Sequence, residues 1–84
     1  MGMIDQYEIA VYEGRYDDAF NLAVHIMCRK VSKSLKACWA ERAAIALEAG
    51  GQARLLPEDF WEINNPELKA QIVGQIYQRL KGVA

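Results

Sequence analysis

No stretch of this chain alternates apolar and polar residues at period two with the β-branched enrichment that strands favour, which argues against sheet folds. Proline occurs twice, at Pro57 and Pro66, and neither glycine nor proline appears between Tyr16 and Ala49. No apolar run approaches the ~20 residues needed to span a bilayer. The first residues, Met-Gly-Met-Ile-Asp-Gln, have neither the basic nor the apolar section of a secretory leader, so a cytoplasmic location is expected. Two cysteines, Cys28 and Cys38, form no Cys-x-x-Cys knuckle, and both fall in helix-like stretches where reduced, buried thiols are expected.

The sequence is equally poor in catalytic groupings. His25 is the one histidine. It stands three residues before Cys28, close enough on a helix to share an ion. No fourth ligand accompanies His25, Cys28 and Cys38, and the same spacing gives a nucleophile–base pair no third group to orient it. Asp17-Asp18 and Glu58-Asp59 fall in first turns of predicted helices, where the helix dipole accounts for carboxylates. Gly50-Gly51 lacks the Lys-Ser/Thr of a phosphate loop. The expectation is a protein that is not an enzyme, with no cofactor, metal or small-molecule substrate.

What is present is helix-forming sequence with clear punctuation. At 84 residues there is room for one domain, residues 1–84. The expected fold is all-α, a small bundle of four to five helices. A first helix is predicted from Ile4 to Glu13, with Ile4, Tyr7, Ala10 and Val11 turned inward and Gly14 ending it. A second starts at Tyr16, with its apolar stripe at 16, 19, 20, 23, 24, 27 and 31. Leu22 and Ile26 lie off that stripe, which suggests a central helix or an interface. A break is predicted at Val31-Ser32-Lys33-Ser34, with Ser32 or Ser34 as cap, against the alternative of one rod ~50 Å long. Gly50-Gly51 closes the third helix. A short helix is predicted with Pro57 in its first position, followed by Phe60-Trp61. Asn65-Pro66-Glu67 opens the last helix, with Leu68, Ile72, Val73, Ile76, Tyr77 and Leu80 inward and Lys69 on the polar face.

The pattern Tyr7-x-x-Ala10-x-x-x-Gly14-x-Tyr16-x-x-Ala19-x-x-x-Ala23 resembles the helix–turn–helix core of a tetratricopeptide repeat. It implies two antiparallel helices packed through small residues. Ala10 stands where that family prefers a large aromatic, and no second copy follows after 34 residues. The resemblance is therefore read as a helical hairpin.

Charge is segregated along the chain. Residues 1–24 carry five carboxylates (Asp5, Glu8, Glu13, Asp17 and Asp18) against Arg15, whereas residues 25–42 carry Arg29, Lys30, Lys33, Lys36 and Arg42 against Glu41. With a net charge of −1, the whole chain has no general attraction for nucleic acid or anionic membrane. The cluster Arg29, Lys30, Lys33 and Lys36 is a candidate contact for an acidic protein surface, including residues 1–18 of a second copy. Phosphate backbone is its alternative target. Phe60 and Trp61 are added as candidate partner contacts, because neighbours on a short helix cannot both point inward. The expected function is protein–protein interaction with a partner or with itself, as an adaptor, inhibitor or assembly factor. A homo-oligomer is expected, and a nucleic-acid-binding regulator is the alternative.

Overall fold

A computed structural model of the protein describes residues 2–82. Among the described residues there is no strand, and four α-helices carry the fold: α1 (Met3–Tyr12), α2 (Tyr16–Met27), α3 (Lys33–Ala49) and α4 (Pro66–Gly82). Between α3 and α4 the chain makes two single 3-10 turns, Ala53–Leu55 and Phe60–Glu62. The short helix expected to start at Pro57 does not form. Pro57 lies outside both turns and its carbonyl accepts the Phe60 N–H at 3.0 Å.

The helix ends follow from local chemistry. Gly14 has φ +76°, a conformation that costs a residue with a Cβ. There the Arg15 N–H reaches the Ala10 carbonyl at 2.8 Å and the Gly14 N–H the Val11 carbonyl at 3.1 Å, which satisfies the last carbonyls of α1. Gly51, at φ +81°, repeats the arrangement for α3, with Gln52 N–H donating to Leu47 and Gly51 N–H to Glu48. The long glycine-free stretch does break. Ser32 caps α3 by accepting the Leu35 N–H at 3.2 Å. Asn65 caps α4 twice, its Oδ1 accepting from Glu67 and Leu68.

α2 is the centre of the bundle. It packs against α1, α3 and α4, and buries Ala19, Phe20, Ala23, Val24, Ile26 and Met27. Ile26, off the main stripe, is buried because α2 has neighbours on more than one side; Leu22 is half-buried. Small residues let the helices approach closely: Ala10, Ala19, Ala23, Ala40, Ala43 and Ala44 have no exposed surface.

Peripheral helices bury less than their sequences suggest. On α1, Tyr7 and Ala10 enter the core, whereas Ile4 is 50% and Val11 37% exposed. One packed side covers a narrower stripe than the four expected residues occupy. Tyr7 reaches furthest: its ring stands edge-on to Trp39 at 5.2 Å and its hydroxyl donates to the Arg42 carbonyl at 3.2 Å. The Arg42 guanidinium lies 4.6 Å from the centre of the Trp39 ring. On α4, Val73 and Ile76 are buried and Leu68 is exposed.

Lys69, expected on the polar face of α4, is 4% exposed. Its ammonium donates to Glu41 Oε1 at 2.6 Å and sits 5.6 Å from the centre of the Phe60 ring. Glu41 on α3 remains half exposed, so the ion pair is buried on one side alone. Lysine suits the position because its methylene stem packs while its charge finds both a carboxylate and an aromatic face.

Candidate functional site

The short connections 13–15 and 28–32 turn the chain back on itself twice, so α1 and α3 run the same way along α2. The Tyr7–Trp39 contact and the Tyr7–Arg42 hydrogen bond join the middle of α1 to the middle of α3, with the two helices alongside each other. The start of α1, the end of α2 and the start of α3 therefore gather at one end of the bundle, hereafter the junction end.

The basic run lies at that end. Arg29 and Lys30 occupy the bend after α2, Lys33 is the first residue of α3, and Lys36 follows in its first turn. Among the described residues, Arg29, Lys30 and Lys36 form no ion pair, and Lys33 makes one long contact to Glu67 at 3.8 Å with both side chains well exposed. The first turn of α3 contains no carboxylate. Cations thus stand beside the positive end of a helix dipole, an arrangement that costs free energy until an anion approaches. Leu35 lies among them at 48% exposure, and Ile4 at the start of α1 is similarly exposed.

The acidic residues divide into two sets. Arg15 engages Glu13 at 2.7 Å and Asp18 at 2.8 Å, and those two carboxylates raise the Arg15 pKa above its usual value. Asp5 and Glu8 on α1 form no ion pair among the described residues. They alternate with exposed apolar side chains: Ile4, Ile9, Val11 and Tyr12 are all on the surface of this one helix, Tyr12 at 92%.

The two aromatic candidates separate. Phe60 is fully buried and makes an edge contact with Trp61 at 5.2 Å, so it supports the site from inside and has no surface to offer a partner. Trp61 is 46% exposed. Both cysteines are free thiols; Cys28 is exposed at the end of α2 and Cys38 is half-buried, against the expectation that both are core residues. Cys28 misses burial because α2 ends there and the bend turns it outward. His25 is exposed and meets Tyr77 edge-on at 6.0 Å. Among the described residues no three of His, Cys, Asp and Glu come together as a metal-binding group.

Two surface clefts are lined by residues of several helices, beside a third of ≈ 390 Å³ lined by Gly14, Arg15, Tyr16, Asp17, Asp18 and Gly50. One of ≈ 380 Å³ lies at the opposite end, where Tyr16, Phe20, Gln52, Tyr77, Leu80 and Lys81 line it. Gln52 Oε1 is buried with no hydrogen-bond donor among the described residues. The other, of ≈ 510 Å³, is an open groove between α1 and α2 walled by Gln6, Ile9, Asp18, Leu22 and His25. Sequence reasoning missed both, since each is formed by residues that belong to different stripes of different helices.

No family model, curated protein or solved structure matches this chain. No helix among the described residues is long and apolar enough to cross a membrane.

Proposed function

We propose that this chain is a small, non-enzymatic, cytoplasmic protein–protein interaction module, an adaptor, inhibitor or assembly factor built on a tetratricopeptide-like opening hairpin. One observation carries the reading. The junction end combines exposed Ile4 and Leu35 with cations that have no close intramolecular partner, next to a helix whose outer face is apolar and acidic. Apolar surface interleaved with uncompensated charge is the composition of a docking surface: the apolar part gives affinity and the charge gives register and encounter rate. The small-residue packing of Ala10, Ala19 and Ala23 supports the hairpin resemblance. The two free thiols suit a reducing compartment.

The test is affinity capture from the native host with two baits, the intact chain and one carrying Lys33→Glu, Lys36→Glu and Leu35→Ser. A protein recovered stoichiometrically by the first and lost with the second is the expected result. Equal recovery by both baits, or none by either, counts against the reading.

A second reading, nucleic-acid binding by Arg29, Lys30, Lys33 and Lys36, rests on the same cations, of which Lys33 alone has a long contact to a carboxylate, beside a helix N-terminus. It requires binding of labelled duplex or single strands whose affinity drops steeply with salt, by roughly 0.7–0.9 log units per log unit of salt for each phosphate contact. No binding at low salt removes it.

A further inference from the structure

From the charge pattern of the junction end, we infer that the docking partner is a second copy of this chain, bound across a two-fold axis. The inference rests on the interaction reading above and names its partner. Two charge sets with little use within the molecule lie toward this end: Asp5 and Glu8, without an ion pair in the first two turns of α1, and around the start of α3 Arg29, Lys30 and Lys36, without one, with Lys33, whose one contact is the long, exposed one to Glu67 at 3.8 Å. A two-fold interface places each patch of one copy on the opposite patch of the other, so a surface holding both signs side by side complements itself. Carboxylates of one copy then meet cations of the other at the positive end of the α3 dipole, relieving the unfavourable placement of Lys33 and Lys36. Ile4 and Leu35, each about half exposed, lie among these charges and become the apolar centre of the contact. A foreign partner of one charge sign would satisfy one patch and face repulsion from the other.

The test is sedimentation equilibrium of the full chain at about 50 mM and about 500 mM salt, which shortens electrostatic range from over 10 Å to below 5 Å. Three variants accompany it: Glu8→Lys; Lys30→Glu with Lys33→Glu; and all three substitutions together. All these positions are exposed, and circular dichroism checks that each variant keeps its helices. The expected result is a dimer at low salt, weakened by high salt. Each one-sided reversal raises the dimer Kd at least about tenfold, since two-fold symmetry counts every reversal twice. The combined variant, with signs exchanged on both patches, regains most of the lost affinity. A monomer at every concentration overturns self-association, while the capture experiment still decides the broader reading. A dimer indifferent to the reversals, or one that the combined variant fails to restore, overturns this surface.

Discussion

α1 and α3 are both rich in apolar residues and place them in opposite ways. α3 buries Trp39, Ala40, Ala43, Ala44, Ala46 and Leu47 and leaves Leu35 and Ile45 outside. α1 buries Tyr7 and Ala10 and leaves Ile4, Ile9, Val11 and Tyr12 outside. The difference is position: α3 lies between α2 and α4, whereas α1 packs mainly on α2 and reaches α3 through Tyr7. In a chain this short, an edge helix has too few neighbours to cover it, so its outer face is where apolar surface remains for another molecule.

If the interior and the edge differ as described, substitutions should sort by side. The largest effect is expected at Phe60, fully buried between Lys69 and Trp61. Phe60→Ala should cost about 3–5 kcal/mol in urea unfolding, a large share of the ~5–15 kcal/mol available to a small domain. Ala43 has no exposed surface on the packed face of α3, so Ala43→Leu should lower stability by about 1–3 kcal/mol through overpacking. Ser32→Ala removes the cap of α3 and should cost about 1 kcal/mol in the same measurement.

Tyr7→Phe, the link between edge and interior, should cost about 0.5–1.5 kcal/mol for the lost hydrogen bond to Arg42. It also carries a pH signature. Burial raises the Tyr7 pKa above 10, offset in part by nearby Arg42 and reinforced by Cys38. The unfolded chain therefore releases this proton first as pH rises. The contribution is intact below the unfolded value near 10 and is lost as pH climbs from there through the higher folded pKa. Stability should fall in that alkaline window for the intact chain and less steeply for Tyr7→Phe. The smallest effect is expected at the edge: Tyr12→Ser, at 92% exposure, should change stability by less than about 0.5 kcal/mol. A loss comparable to that of Phe60→Ala would erase the contrast between the two helices.

Helix boundaries were the most legible part of the sequence. Gly14, Ser32, Gly51 and Asn65 each end or start a helix through backbone chemistry that needs no distant contact. Burial on the peripheral helices was less legible. Leu68 and Val73 fit the same apolar stripe of α4, and which one is covered depends on where α3 crosses. Lys69 falls on the polar face by spacing alone, and its burial depends on Glu41 and Phe60, of which Glu41 is distant in sequence. The candidate contacts were partly legible. The basic run is a contiguous sequence feature, whereas its place at the same end of the bundle as the start of α1 follows from two chain reversals. Pro57 misled in another way, for a proline suited to a helix start occupies the link between two 3-10 turns.

The interaction claim is tested most directly by placing a photo-cross-linking residue at Leu35 in living cells and, as a control, at exposed Gln78 on the outer face of α4. The probe at position 35 should give one discrete adduct in high yield, at twice the chain mass if the partner is a second copy, with little product at position 78. No adduct at 35, or the same diffuse products from both positions, would contradict the account.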